Sequence, residues 1–379
     1  MSSLPGRHRG AALTRRHALA LPFLAALPRA ARAAPQSITD AVGRVVTLKA
    51  PLERIVTIFS YEELTAIGGP AVWDRVVGIG RKQWAGYRAA NWARYRAAIP
   101  RLDELADVGI ADDKSFSVER TLSLRPDLLI VHEFAFRSMA PLMEQIQAVG
   151  VPILVIDYNA QDPAKTVAST LALGAVAGMP DRARALADLY QDRMRDIAAR
   201  VTGKPAPCVY IEIGSAGAGT FGNTYNNVMW GRMIEAAGGT NIAKDNIPIG
   251  WAPMAPEAVL AGAPDFVFIL GSSWTNMPNA VRAGYDYDLE TARRSLAPYA
   301  ERPGWSALPA IRAGELHVIE TGLARSLPDW IATQYIAKQL NPGAFADVDP
   351  VESLRKYHET FLPIRFEGTW MARLRSPGA

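Results

Sequence analysis

A short phrase is written twice in this chain. "SVERTLSLRPDLLIV", from Ser117, and "APEAVLAGAPDFVFI", from Ala255, share Glu at the third place, Leu at the sixth and Pro-Asp at the tenth and eleventh, followed by an apolar run. Each copy reads as a short helix, a turn and a buried strand. Repetition across so long a separation implies two copies of a whole structural unit, not a short-period array. A length of 379 residues leaves room for two such units, each with its own core.

The flanking segments repeat in the same order. In the first half, short apolar runs occur at "RIVTIF" (54–59), "RVVGIG" (75–80), "DLLIV" (127–131) and "PILVID" (152–157). In the second they occur at "CVYIEI" (208–213), weakly at "TNIA" (240–243), and at "DFVFIL" (265–270) and "ELHVIE" (315–320). Short apolar strands between amphipathic helices indicate βαβ units and parallel sheets. The expected fold class is therefore α/β: two similar lobes, each a mostly parallel sheet flanked by helices. A hairpin is expected ahead of the first lobe, at "SITDAVGRVVTLKAP".

Between the halves, "DRARALADLYQDRMRDIAARV" places Leu186, Tyr190, Met194, Ile197 and Val201 on one helical stripe. At 1.5 Å per residue this helix spans roughly 30 Å, the width of a small domain. A single stiff helix between lobes predicts little relative motion, unlike a Gly/Ser-rich linker. The expected organisation is a signal segment at 1–33, an N-terminal lobe at 34–161, a linker segment with a long helix at 162–202 and a C-terminal lobe at 203–379.

Residues 1–33 carry six arginines and no acidic residue, then an apolar stretch from Ala18 to Leu27 and an Ala-x-Ala site ending at Ala33. This reads as a cleaved signal peptide. Thr14-Arg15-Arg16 makes it similar to a twin-arginine signal, with a general secretory signal as the alternative. Without this segment, 35 basic face 37 acidic side chains, so the basic pI is no argument for nucleic-acid binding. The lone Cys208, in an apolar strand, is expected to be buried, and no cysteine stands at the cleavage site to carry a lipid. A periplasmic monomer is expected.

With "TDAVGRVVTL", "SVERTLSLRPDLLIV", "GRMIEAAGGTNIA" and "APEAVLAGAPDFVFI" in this order, the chain resembles the periplasmic substrate-binding proteins of ABC importers. Within them it is similar to the class whose two lobes are joined by one long helix, the group that captures iron–siderophore, haem and cobalamin complexes. The resemblance runs from about Ile38 to about Phe361. It implies a ligand cleft between the lobes and a permease dimer as partner. It also implies that an exposed Glu on each lobe, Glu119 and Glu257 by motif position, docks into permease arginines. With Ser117 and Ala255 as N-caps, both Glu fall at the second helical position. There each also complements a helix dipole.

Ligands of open α/β sheets sit beyond the carboxyl ends of the strands. The loops expected there supply Tyr61; Trp84, Tyr87 and Arg88; His132, Phe134 and Arg137; Tyr225; Trp251; Trp274; and Arg325 and Trp330. Flat aromatic walls and guanidinium donors suit a bulky anionic chelate. The expected ligand is an iron(III)–siderophore, with haem, cobalamin and molybdate or tungstate as alternatives. No resident cofactor is expected. Beyond the signal segment only His132, His317 and His358 are histidines, too few for a directly bound zinc or manganese. An exported enzyme is disfavoured: the chain has no G-x-S-x-G elbow, no phosphate-binding G-x-x-x-x-G-K-[ST] loop and no H-E-x-x-H.

Overall fold

The structure, a computed structural model, describes residues 36–48, 51–274 and 276–375. The signal-like segment 1–33 lies outside them. An antiparallel hairpin, β1 (Gln36–Thr39) and β2 (Val45–Leu48), opens the chain. Its turn is organised by Asp40. The buried carboxylate accepts from the backbone N–H groups of Val42 and Arg44, at 3.1 and 2.9 Å, and pairs with the Arg44 guanidinium at 2.7 Å.

The N-terminal sheet contains β3 (Ile55–Thr57), β4 (Val76–Ile79), β5 (Ala106–Asp107), β6 (Leu128–His132) and β7 (Ile153–Ile156). Its order is β5-β4-β3-β6-β7, and every pair is parallel. In the second half come β8 (Cys208–Ile213), β9 (Asn223–Tyr225), β10 (Thr240–Asn241), β11 (Trp251–Pro253), β12 (Phe266–Gly271), β13 (Leu316–Glu320) and β14 (Met371–Arg373). The C-terminal sheet has the order β10-β8-β12-β13-β14. Thus β4-β3-β6-β7 and β10-β8-β12-β13 have one topology, the duplication read from the repeated phrase. Each sheet adds an edge strand of its own on opposite sides: β5 in the first, the antiparallel β14 in the second.

The repeated Pro-Asp has a specific task. The Asp127 carboxylate accepts from the backbone N–H of Glu53 and Arg54, both at 2.9 Å, at the entry to β3. Asp265 does the same for the N–H of Cys208 at 2.9 Å, the first residue of β8. In each lobe the Asp ties the start of its own strand to the start of the neighbouring one. It also satisfies backbone donors that a strand entry leaves open. Cys208 itself is half-buried, not fully buried as expected, because it stands at this strand entry.

The linker is a pair of helices. Asp162 caps the first, Pro163–Ala177, by accepting from Ala164 N–H at 2.9 Å, and Gly178 ends it in the left-handed conformation at φ 72°. The second, Pro180–Val201, buries Leu186, Tyr190 and Ile197 and half-buries Met194 and Val201. A Cβ added at Gly174 would lie 2.3 Å from that of Ala183, so the two helices meet through small residues. The first packs on the helix Tyr61–Gly68 and on β7, the second on the helix Asp329–Leu340. One apolar core consequently runs from Ile55 and Leu128 through Leu186 and Tyr190 to Ile211 and Phe268. No helix among the described residues is long and apolar enough to cross a membrane.

Candidate functional site

The carboxyl ends of both sheets face a cleft made of two adjoining cavities. An inner one of about 400 Å³ is lined by residues following β3 and β4 on one side and β8, β12 and β13 on the other. An outer one of about 780 Å³ is lined by residues following β6 and β7, by the β9–β11 ribbon and by the helix beginning at Trp230. Phe59, Asp112, Ile213 and Arg325 border both cavities.

The expected ligand residues divide into distinct groups. Tyr87, Trp274 and Arg325 line the inner cavity with accessible side chains, Tyr87 being 39% exposed. Phe134, Arg137 and Trp251 line the outer cavity, Trp251 being 50% exposed. Trp251 pairs with Tyr225 across the β9–β11 ribbon, which lies outside the main sheet and was not legible in the sequence. Tyr225 is buried and forms part of the outer wall.

Tyr61 and Trp84 sit below the inner cavity as its floor. Each is under 5% exposed, and the Tyr61 hydroxyl donates to the Gly80 carbonyl at 2.7 Å. Their rings pack with centroids 4.2 Å apart, tilted by 30°, within a cluster that also contains Trp73, Trp92 and Tyr95. Trp330 is not in the cleft. It is buried in the helix Asp329–Leu340, where the Arg193 guanidinium lies 5.6 Å from its ring and it borders a groove beside the linker. The loop after β13 turns back into this helix, so five residues carry the chain from the cleft at Arg325 to the linker face.

Arg88 is also not a free ligand cation. Its guanidinium pairs with Glu62 at 3.0 Å within its own lobe and with Glu320 of the other lobe at 3.7 Å. Burial works against its charge, but the two carboxylates outweigh burial and hold the group ionised. It lies flat against Gly322, where an added Cβ would meet Nη2 at 2.5 Å. Arg88 is therefore a clasp between the lobes. Further clasps join them: Leu327 N–H to Oε1 of the Glu63 carboxyl group at 2.9 Å, Arg94 to Asp286 at 2.7 Å, and Arg232 to the Ala160 carbonyl at 2.9 Å.

Most other charged groups in the cleft are internally satisfied. Arg137 and Lys165 both pair with Glu133, and Gln83 donates to Asp112 at 2.9 Å. Arg325 differs: it is exposed, and no hydrogen bond or ion pair engages it among the described residues. His132, the last residue of β6, stacks on Phe59 at 4.2 Å, and its Nδ1 has no partner. Burial lowers its pKa to about 4, so the imidazole is neutral at physiological pH. His317 and His358 are core groups with both ring nitrogens hydrogen-bonded.

Glu119 and Glu257 occupy matching places. Each is the second residue of a short helix, Val118–Ser123 or Pro256–Ala261. The Ser117 hydroxyl caps the first helix by accepting from Arg120 N–H at 3.1 Å; Ala255 makes no side-chain cap. Both carboxylates are exposed, and neither has an ion-pair partner among the described residues.

Comparison with known proteins agrees with this architecture. Residues 61–321 match the model of a periplasmic binding protein family. The chain is 23% identical over 325 residues to the ABC transporter substrate-binding lipoprotein YvrC of Bacillus subtilis (strain 168), covering 83% of this chain and 88% of that protein. It is 26% identical over 247 residues to a cobalamin-binding protein of Halobacterium salinarum, covering 62% of this chain and 58% of that protein's length. Among solved structures, a TroA-like periplasmic binding protein, FepB, from Veillonella parvula superposes with a TM-score of 0.85 at 31% identity, over 90% of this chain and all of that one. A periplasmic heme-binding protein from Pseudomonas aeruginosa superposes with a TM-score of 0.53 at 25% identity, over 77% of this chain and 94% of that one. The chain belongs to the periplasmic binding protein family, and it is a substrate-binding protein of the ABC importer class, not an enzyme.

Proposed function

We propose that this protein captures a bulky, anionic metal chelate, an iron(III)–siderophore, in the space outside the inner membrane and delivers it to a permease. The observation that carries this reading is Arg325: a guanidinium with no hydrogen bond or ion pair among the described residues, where two cavities of about 400 and 780 Å³ meet. Arg offers a planar fork of donors to carboxylate, hydroxamate or phenolate oxygens. Tyr87, Phe134, Trp251 and Trp274 supply apolar walls around it. The space greatly exceeds what a bare metal ion or a molybdate needs. Pockets of this size bury most of a ligand of several hundred daltons.

Cobalamin is the second reading, favoured by the similarity to proteins named as cobalamin- and vitamin B12-binding. Glu119 and Glu257, exposed at matching positions of the two lobes, serve as the paired contacts for the two permease subunits. The segment 1–33 directs export and is cleaved. A thermal-shift panel of ferric hydroxamates, ferric catecholates, haemin, cobalamin and molybdate tests the ligand. A ligand present at a hundred times its Kd adds about 2.7 kcal/mol of stability. Stabilisation by a ferric chelate supports the proposal. Stabilisation by cobalamin alone selects the second reading, and stabilisation by molybdate alone refutes both.

A further inference from the structure

We infer that Ser60 is a ligand-binding residue of the inner cavity, its hydroxyl donating to an anionic oxygen of the ligand that Arg325 also engages. The inference rests on the cleft being the chelate site. Ser60 stands at the start of the helix Tyr61–Gly68 in the left-handed conformation, φ 59° and ψ 45°. For a residue with a Cβ this conformation is strained, and Gly avoids the strain. A Ser before a helix ordinarily compensates by capping it, accepting from an N–H of the first turn. Ser60 makes no such bond.

The side chain is 6% exposed, yet Oγ has no hydrogen-bond partner. Among the described residues lining the inner cavity, it is the one buried side-chain oxygen left unsatisfied. Three of its carboxyl and hydroxyl neighbours there are engaged: Glu62 by Arg88 and Asn91, Glu63 by Leu327 N–H, Ser272 by Glu320. Arg88 Nε also lacks a partner, but that guanidinium is held against Gly322 by its ion pairs with Glu62 and Glu320. A buried hydroxyl without a partner is destabilising. The position thus carries two local penalties, and a ligand group in the cavity would relieve one of them. Strain of this kind collects at ligand clamps. Arg325, on the facing lobe, can only donate, so a ligand group that both residues reach must be an acceptor. Ser60 then acts as a second donor and selects ligands that present an anionic oxygen at this depth.

Two variants separate the hydroxyl from the backbone. Ser60→Ala keeps the strained backbone and removes the hydroxyl; Ser60→Gly removes both. Affinities of the full protein for a ferric trihydroxamate, a ferric catecholate and cobalamin are measured by tryptophan fluorescence, with melting temperatures of the free proteins in parallel. Both variants are expected to weaken the chelate that the wild type binds by about ten-fold or more. Free Ser60→Gly should melt at or above the wild-type temperature. If the wild type binds a chelate and either variant binds it within two-fold of wild type, Ser60 has no such role while the reading of the cleft stands. If the wild type binds none of the three, the reading of the cleft fails and this inference fails with it.

Discussion

Replacing Arg302 with Met should unsettle the cleft wall from behind. Arg302 lies under the glycine-rich loop that follows β8 and is 4% exposed. Its guanidinium makes a two-pronged pair with the fully buried Glu212, at 2.7 and 2.8 Å, and donates to the carbonyls of Ala218 and Thr220, at 2.7 and 2.8 Å. Phe221, Tyr299 and Trp305 surround it, their ring centroids 4.2–4.7 Å away. Glu212 in turn accepts from Gly222 N–H and from the Tyr210 hydroxyl, each at 2.9 Å. The strut anchors this loop to the end of β8, where Ile213, the last strand residue, and Ser215 in the loop line the cleft.

Removing one partner of a buried ion pair costs about 3–5 kcal/mol, because the other charge stays buried without compensation. That is a large share of a total stability of about 5–15 kcal/mol. The double variant Arg302→Met/Glu212→Leu buries no charge and should lose less than Arg302→Met alone. Urea unfolding followed by tryptophan fluorescence measures both, and chelate affinity of the folded fraction should fall in Arg302→Met. A single-variant loss below about 1 kcal/mol, or a double variant no more stable than the single, would refute the strut.

Other outcomes follow from the same geometry. Arg325→Ala should leave the melting temperature of the free protein unchanged, since it has no hydrogen-bond or ion-pair partner among the described residues to lose, but weaken chelate binding about ten- to a hundred-fold by calorimetry. Glu119→Ala/Glu257→Ala should abolish uptake in cells while leaving chelate affinity at the wild-type value; wild-type uptake at normal expression contradicts docking through these residues. Gly322→Ala pushes a methyl into the Arg88 guanidinium and should lower the melting temperature, and a crystal structure should show the Arg88–Glu320 pair broken. Glu63 offers a pH test: burial, aided by Glu62, raises its pKa to about 8. A raised carboxyl pKa favours the folded state below the unfolded value near 4.5, and that advantage is lost as pH rises to about 8. Glu63→Gln, which keeps an acceptor for Leu327 N–H, should therefore raise the melting temperature at pH 9 and leave it little changed at pH 4.5.

The sequence by itself determined the periodic features. Two apolar-strand series, the repeated helix–Pro-Asp–strand frame and the stripe from Leu186 to Val201 are local patterns. They dictated two mostly parallel sheets, their matching topology and the long second helix of the linker, because each follows from burial of one face of an element. The matched surface positions of Glu119 and Glu257 were legible for the same reason.

Only the tertiary structure decided which polar and aromatic side chains remain available. Trp330 and Arg88 stood in strand-end loops like Arg325, yet one turns to the linker face and the other is neutralised by Glu62 and Glu320, partners from two lobes. Ser60 was one polar residue among many until its backbone conformation and missing partner set it apart. Whether a group is free depends on neighbours far away in the chain. A hydrogen bond or ion pair between Arg88 and Glu320, or Glu63 and Leu327, is fixed by packing across the cleft and leaves no periodic trace in the sequence.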